Sequence, residues 1–176
     1  MGGKGENMNK NSQPKADRPL AEELIKGVMI KELVRHNDDR GYFEELIRMK
    51  DDFFKEGFGQ LSHSFMHPGV IKAWHIHKTQ VDWWYVARGD LHVGLYDMRK
   101  NSSTYKTLNE FLLGEHGQNV VLKIPPGVAH GCKVIGGESE LFYVTSSVYN
   151  PGEEGRIPHD DKNIGYDWVN IPPLNI

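Results

Sequence analysis

WWYVARGDLHVGLYD, the stretch from Trp83 to Asp97, contains two apolar segments on either side of Arg88-Gly89-Asp90. In the second segment Leu91, Val93 and Leu95 occupy every second position, which is the period of a strand with one buried face. The first segment is rich in the aromatic and β-branched residues that strands favour. We therefore predict two strands here, joined by a hairpin turn at the glycine.

Short apolar stretches of the same kind recur from Gly27 onward, separated by turn residues about every eight to twelve positions. This spacing favours an all-β sandwich or barrel over alternating strands and helices. Besides Trp83–Ala87 and Leu91–Asp97, the strand candidates are Val28–Val34, Gly41–Ile47, Gln60–Met66, Val70–His75, Glu110–Leu113, Val120–Ile124 and Glu140–Val148. One loose helix is predicted around Lys50–Lys55.

The first 18 residues, MGGKGENMNKNSQPKADR, contain three Gly, three Asn and one Pro and very few residues that could be buried. A segment of this composition cannot offset the entropy that is lost on ordering. The 176 residues of the chain are enough for one domain. We predict a disordered polar N-terminal tail at residues 1–18 and a single domain at residues 19–176.

The composition excludes several classes of protein. No run approaches the roughly 18 apolar residues that a membrane span needs, so no membrane partner is expected. A net charge of -3 offers no basic surface for nucleic acid. The single cysteine, Cys132, cannot form an internal disulfide, and the polar N-terminal residues lack the apolar segment of a signal peptide. The expected location is the cytoplasm.

Three histidines and one aspartate have the composition of a metal site. His75 and His77 lie two residues apart in a strand candidate, so their side chains point to the same face. Asp82 follows five residues later, and His130 follows the Pro-Gly turn of PPGVAHG, residues 125–131. Imidazole and carboxylate together suit a divalent transition metal such as Zn, Fe, Mn, Ni or Cu. The alternative is a histidine pair that is merely exposed or hydrogen-bonded in the core.

This spacing resembles the two metal motifs of the cupin superfamily. The pattern runs Gly69-x5-His75-x-His77-x4-Asp82-x6-Gly89 and then Pro125-x-Gly127-x2-His130. The superfamily usually has a glutamate where Asp82 stands, and the aspartate side chain is shorter by one methylene. The resemblance implies a metal at His75, His77, Asp82 and His130.

A second resemblance covers the chain from about Asp38 to Trp168. The segments that carry it are DDRGYFEEL (Asp38–Leu46), Gln60 with His63-Ser64, GVIKAWH (Gly69–His75), IPPGVAHG (Ile124–Gly131), Tyr143 with VYNPGEEG (Val148–Gly155), and DDKNIGYDW (Asp160–Trp168). In this order they resemble the dTDP-4-dehydrorhamnose 3,5-epimerase family. The resemblance implies a cupin jelly roll, usually a homodimer, that binds a nucleotide-linked 4-keto sugar and epimerises carbons next to the ketone.

The resemblance also implies roles for individual residues. His75 matches the general base of the family and Tyr143 its general acid, which fits the need for a proton acceptor and a donor on opposite faces of one carbon. Arg40 matches an arginine that contacts the diphosphate, and Lys72 stands where the family has a second arginine. The other matches to substrate-binding positions are Glu45, Gln60, Ser64 and Tyr149.

The chain departs from the family at three points. Asp82 replaces the lysine that stabilises the enolate, and a carboxylate beside a developing oxyanion raises the barrier. His77 replaces a glutamine. The late Leu-Ser-x-Lys-Asp segment of the family, whose aspartate pairs with the catalytic histidine, has no counterpart after Trp168, so His75 is expected to lack its carboxylate partner.

The two substitutions together turn the metal-free pocket of the family into the cupin metal set, where a cation would restore the missing positive charge. Because an imidazole that gives its lone pair to a metal cannot abstract a proton, the two roles of His75 exclude each other. The leading hypothesis is a nucleotide-sugar epimerase that removes a proton alpha to a 4-keto group. The alternatives are a metal-dependent cupin, either an oxygenase or a metal-assisted isomerase, and a non-catalytic cupin that binds sugar nucleotides.

Overall fold

The computed structural model describes residues 23–174, and nearly all regular structure in them is β-strand. The predicted tail at residues 1–18 lies outside the described residues. The strands are β1 Met29–Glu32, β2 His36–Asp38, β3 Gly41–Phe43, β4 Gln60–Met66, β5 Ile71–His77, β6 Asp82–Arg88, β7 Asp90–Asp97, β8 Leu108–Gly114, β9 Val120–Ile124, β10 Val128–Val134, β11 Ser139–Thr145 and β12 Glu154–Arg156. A 3-10 turn at Asp52–Phe54 stands where the sequence predicted a loose helix.

Two five-stranded antiparallel sheets form the body of the protein. The front sheet has the strand order β1-β9-β6-β11-β4, and the back sheet has the order β12-β5-β10-β7-β8. Strands β2 and β3 form a separate two-stranded hairpin. This arrangement confirms the predicted all-β jelly-roll sandwich. Residues 23–174 contain no helix that is long and apolar enough to cross a membrane.

The main core lies between the two sheets, as the alternation of side chains along each strand requires. Trp84 of β6 packs there with Leu91 and Val93 of β7, whereas its neighbour Trp83 packs on the outer side of the front sheet against Phe54. Each large apolar side chain buried in this way stabilises the fold by about 1.5–3 kcal/mol. The alternation along β6 therefore places Trp84 in the core between the sheets and Trp83 on the outer side.

The outer side of the back sheet is covered by the C-terminal segment. Trp168 is 1% exposed and packs edge-to-face on Trp74 of β5, with ring centroids 4.8 Å apart. Gly94 of β7 lies beneath both indole rings, where a Cβ atom would be 3.0 Å from Trp168. The segment thereby holds β5 against the sheet from outside, so that the opposite face of β5 is fixed as well.

The hairpin predicted at Arg88-Gly89-Asp90 is wrong. Strand β6 pairs with β9 and β11 in the front sheet, whereas β7 pairs with β8 and β10 in the back sheet. Gly89, with φ +70°, turns the chain from one sheet to the other, and its amide and carbonyl both bond to Glu115. A glycine between two apolar strands signals a reversal of direction, and only long-range pairing decides whether that reversal is a hairpin or a corner.

Three strands are absent from the sequence prediction: β2, β10 and β12. Strand β10 lies between β5 and β7 in the back sheet, and nearly all its residues are buried, so its sequence VAHGCKV shows no alternation. Strands β2 and β12 have three residues each, which is too short for a periodic pattern. Predicted bounds elsewhere are close, and those of β4 and β9 match the sequence prediction.

The corner at Gly89 gives a prediction about stability. Substitution Gly89→Ala forces a positive φ on alanine and drives its Cβ into the carbonyl oxygen of Glu138. Gly69→Ala is the matched control, because Gly69 has φ +78° but open space around its Cβ position. We expect Gly69→Ala to cost about 1–2 kcal/mol of unfolding free energy and Gly89→Ala roughly 2 kcal/mol more. Urea denaturation measures both, and equal losses would contradict the steric argument.

Candidate active site

A cavity of about 630 Å³ opens between the two sheets, a volume in the range of small-molecule sites. Strands β4, β6 and β11 line it from the front sheet, and β5, β10 and β12 line it from the back sheet. The residues predicted from the sequence that line it are Gln60, Ser64, Lys72, His75, His77, Asp82, His130, Tyr143 and Tyr149. The fold therefore collects most of the predicted site in one place.

A bulge in β5 brings three of these side chains to the cavity. Residue 75 pairs with His130, but residue 72 pairs with Cys132, so β5 contains one residue more than β10 across this interval. Strict alternation would place Lys72 and His75 on opposite faces, and the extra residue restores Lys72 to the face of His75 and His77. Lys72 Nζ then donates a hydrogen bond to Ser64 Oγ at 2.6 Å, from the back sheet to the front sheet.

His75 has a carboxylate partner, contrary to the expectation from the sequence. Its Nδ1 lies 2.9 Å from Oε1 of Glu154, on strand β12, which pairs with β5. Burial lowers the pKa of His75 below its usual value, and the carboxylate of Glu154 only partly offsets this effect. His75 is therefore neutral near pH 7 and has a lone pair that can accept a proton.

Glu154 itself is held as a carboxylate. Burial alone would raise its pKa, but the hydrogen bonds from Arg156 and His75 lower that pKa below the usual glutamate value. The sequence analysis missed this residue even though it lies within the quoted segment VYNPGEEG. The only signal was the proximity of two glutamates to a Pro-Gly turn, and nothing local indicates that the second one reaches β5.

His77, Asp82 and His130 form the second polar group of the cavity. Oδ2 of Asp82 lies 3.8 Å from Nε2 of His77 and 3.8 Å from Nε2 of His130. One ligand atom from each residue lies within 4.8 Å of the other two. His75 lines the same cavity but is not a member of this group. The structure thus brings three of the four predicted metal ligands together.

The hydrogen bonds of this group fix its protonation pattern. Burial lowers the pKa of His130 to about 4, and its Nδ1 donates to the Val128 carbonyl at 3.1 Å, which leaves the Nε2 lone pair toward Asp82. Gln80 donates to Oδ1 of Asp82 at 2.8 Å. Within residues 23–174, the buried Nδ1 of His77 has no hydrogen-bond partner. Two imidazoles and one carboxylate, all largely buried, form the kind of donor set that binds a divalent transition metal.

The front-sheet wall supplies hydroxyl and amide groups. Tyr143 lies on β11 and Ser64 on β4, both across the cavity from the histidines of β5. Oε1 of Gln60 accepts a hydrogen bond from the amide of Tyr149 at 3.1 Å, which ties β4 to the loop at the mouth of the cavity.

Burial raises the pKa of Cys132 to about 12, so this thiol at the cavity wall stays protonated.

Arg40 and Glu45 do not line the cavity of their own chain. Arg40 is exposed in the turn between β2 and β3, where its guanidinium pairs with Asp38 at 2.6 Å. Glu45 follows β3 and lies 3.7 Å from Arg48. The two predicted nucleotide contacts therefore remain predictions.

Known proteins share this fold. The family model for dTDP-4-dehydrorhamnose 3,5-epimerase matches residues 22–175. The spore coat polysaccharide biosynthesis protein SpsL of Bacillus subtilis is 46% identical over 82% of this chain and 97% of its own length. A probable low-salt glycan biosynthesis epimerase of Haloferax volcanii is 38% identical over 82% of this chain and 94% of its own length.

Among solved structures, a dTDP sugar isomerase from Desulfovibrio desulfuricans superposes with a TM-score of 0.78 at 28% identity, covering 83% of this chain and 93% of that one. The agreement therefore extends over most of both chains, rather than one motif. Because the family model extends over nearly all the described residues and the identity to curated relatives is high, the chain belongs to the dTDP-4-dehydrorhamnose 3,5-epimerase family.

Proposed function

We propose that the chain is a nucleotide-sugar epimerase, an isomerase that inverts a carbon next to the 4-keto group of a nucleotide-linked sugar. The observation that carries the proposal is the position of His75 and Tyr143 on facing sheets of one cavity. Inversion needs a proton acceptor on one side of the carbon and a donor on the other, and facing sheets provide these two sides. Family membership supports the same reaction class.

His75 and Tyr143 together account for the protons and electron pairs that the reaction moves. Nε2 of His75 takes the proton from the carbon alpha to the ketone, and the C–H electrons move to the ketone oxygen to give an enolate. The hydroxyl of Tyr143 donates a proton to the opposite face of that carbon, and the electrons return from the oxygen to form the C=O bond again. His75 then releases its proton to solvent, and the tyrosinate of Tyr143 takes up a proton from solvent.

The nucleotide moiety would bind through the remaining polar groups of the cavity. Lys72 contributes one positive charge for the diphosphate, although an ammonium lacks the bidentate fork of arginine. Gln60, Ser64 and Tyr149 surround it with amide and hydroxyl groups. These groups together form the proposed binding surface for the sugar nucleotide.

We also propose that His77, Asp82 and His130 hold one divalent transition metal. The supporting observation is the largely buried group of two histidines and one carboxylate, whose ligand atoms lie within 4.8 Å of one another. A metal there would supply Lewis acid stabilisation for a developing oxyanion, in place of the lysine of the family. Because His75 lies outside the group and bonds to Glu154, its role as base does not conflict with a metal held by the other three residues.

A homodimer is the proposed assembly, and strand β4 supports it. Along β4, Gln60 and Ser64 face the cavity, while Leu61 and Phe65 are 57% and 45% exposed on the outside. This is the reverse of the usual pattern for a strand with one wet face, and β4 is also an unpaired edge of the front sheet. A second copy covering this face would bury the apolar residues. In such a dimer, Arg40 of one copy could reach the cavity of the other copy.

The cytoplasm is the proposed location. The chain has one cysteine, which is buried in the core and cannot form an internal disulfide. The fold therefore does not depend on an oxidising compartment.

The first prediction separates proton removal from inversion. Wild-type protein in D₂O should exchange deuterium into a dTDP-linked 4-keto sugar and invert the carbon. His75→Asn should slow exchange by about 10²–10⁴-fold, whereas Tyr143→Phe should keep exchange through His75 and lose inversion. NMR of the sugar measures both. Tyr105→Phe, at an exposed tyrosine outside the cavity, is the control.

If wild-type protein binds the sugar nucleotide but shows neither exchange nor inversion, the epimerase proposal is wrong. Such a result would favour the non-catalytic cupin. Inversion that is unaffected by Tyr143→Phe would remove this tyrosine from the mechanism.

The second prediction concerns the metal. Elemental analysis should find close to one transition metal per chain in the purified protein or after incubation with Zn²⁺ or Mn²⁺. His77→Gln should abolish the binding because it removes one of three ligands, and His75→Asn should retain it as the matched control. A metal-free wild type after incubation, or loss of metal in His75→Asn, would contradict the three-ligand assignment.

The third prediction concerns the assembly. Light scattering should give the mass of a dimer, and the double substitution Leu61→Lys with Phe65→Lys should shift the mass toward a monomer, since both charges would be buried at the interface. Val169→Lys, at an exposed position on the back-sheet side, should leave the dimer intact. A monomeric wild type would refute the proposed assembly.

A further inference from the structure

We infer that Glu154 is a positioning residue for His75: its carboxylate holds the imidazole with hydrogen on Nδ1 and thereby presents the Nε2 lone pair to the substrate. The inference rests on the proposed epimerase function, in which His75 is the base. It assigns to Glu154 a task for which the sequence indicated no residue.

The hydrogen bond determines the tautomer. Nδ1 of His75 and Oε1 of Glu154 are 2.9 Å apart. An ionised carboxylate can only accept a hydrogen bond, so the hydrogen must be on Nδ1. In neutral imidazole the other nitrogen, Nε2, then carries the lone pair. Since a free imidazole in water favours hydrogen on Nε2, a base that uses Nε2 needs such a partner to be ready for proton transfer.

Strand pairing brings Glu154 to this position. In the antiparallel register His77 is opposite Glu154, and His75 is opposite Arg156. The four side chains therefore share one face of the two strands, and the contact between His75 and Glu154 is a diagonal one. Residues on paired strands are more rigidly held than residues on a loop, which suits a group that must fix the plane of a ring.

Arg156 holds Glu154 from the other side. Its Nε donates to the same Oε1 at 3.1 Å. Glu154 is only 14% exposed, whereas the guanidinium lies largely in solvent. The order from solvent to substrate is thus guanidinium, carboxylate and imidazole, so the carboxylate has a partner on each side and little freedom to rotate.

The neighbouring Glu153 has a different task. Its carboxylate accepts hydrogen bonds from the amide and hydroxyl of Thr79 and from the amide of Gln80, all on the loop between β5 and β6. It does not line the cavity. Glu153 therefore provides a matched control, an adjacent glutamate with structural hydrogen bonds and no contact with His75.

The test reads the tautomer directly. In protein with ¹⁵N-labelled histidine, held about two pH units above the usual imidazole pKa of roughly 6.5, the ¹⁵N shifts of His75 report which nitrogen carries hydrogen. The signals are assigned by their loss in His75→Asn. We expect hydrogen on Nδ1 in the wild type and in Glu153→Gln, and a shift toward hydrogen on Nε2 in Glu154→Ala. Glu154→Gln, whose amide oxygen still accepts, should keep the wild-type tautomer.

Kinetics then separate positioning from binding. Glu154→Ala should lower kcat for deuterium exchange by about 10²-fold or more, with KM changed less than about threefold, because the loss falls on proton transfer. Glu154→Asp should recover part of the rate. A variant that loses the fold is recognised by its NMR spectrum, and Glu154→Gln then carries the test. Because its amide oxygen still accepts from Nδ1, it should keep most of kcat along with the wild-type tautomer, and a large loss of kcat with the tautomer kept would contradict the positioning role.

The two proposals fail separately. If His75 keeps hydrogen on Nδ1 in Glu154→Ala, or if KM rises while kcat is unchanged, the positioning role is wrong whatever the reaction. If the tautomer shifts as expected but wild-type protein exchanges no deuterium with any nucleotide-linked 4-keto sugar, the positioning role stands and the epimerase proposal falls.

Discussion

Strand β5 must satisfy two opposite environments at once, and the rest of the structure depends on how it does so. Trp74 is buried in an apolar cluster on the outside of the back sheet, while His75, its neighbour in sequence, faces a polar cavity on the inside. Burying the indole under Trp168 fixes the strand against rotation. The imidazole is therefore held by packing on the far side of the sheet, and not only by its own hydrogen bond. The bulge in the same strand adds Lys72 to the cavity face.

The polar groups of the cavity remain stable because each charge is paired or hydrogen-bonded. Asp82 is buried and accepts hydrogen bonds from Gln80 and from the indole of Trp84. Burial without such partners would cost several kcal/mol. Because His130 is neutral, it adds no positive charge beside His75 and His77. Asp82, which stands where the family has a lysine, is thus held by hydrogen bonds within a buried polar group.

The outer surface of the front sheet follows from the same geometry. Because Gln60 and Ser64 of β4 point to the cavity, Leu61 and Phe65, which alternate with them, point away from the core of their own chain, whereas Met66 at the end of the strand is buried in it. Leu61 and Phe65 face outward on β4, which is an edge strand of the front sheet. Both residues are far in sequence from the β2–β3 hairpin that carries Arg40 and from the C-terminal segment. Because side chains alternate along β4, the same strand contributes polar residues to the cavity and apolar residues to the outer face of the front sheet.

The sequence by itself determined the all-β class, most strands, and the shared face of His75 and His77, because the two-residue period of a strand is a local property. Ordered segments also identified the family, and the sequence named nine of the residues that line the cavity, including Tyr143 and Asp82. Only the tertiary structure decided that Gly89 makes a corner and not a hairpin, that β10 lies at the centre of the back sheet, and that Glu154 bonds to His75. Each of these depends on pairing between residues far apart in the chain. Local pattern cannot specify such pairing, since the burial that selects it exists only once the two sheets have packed together.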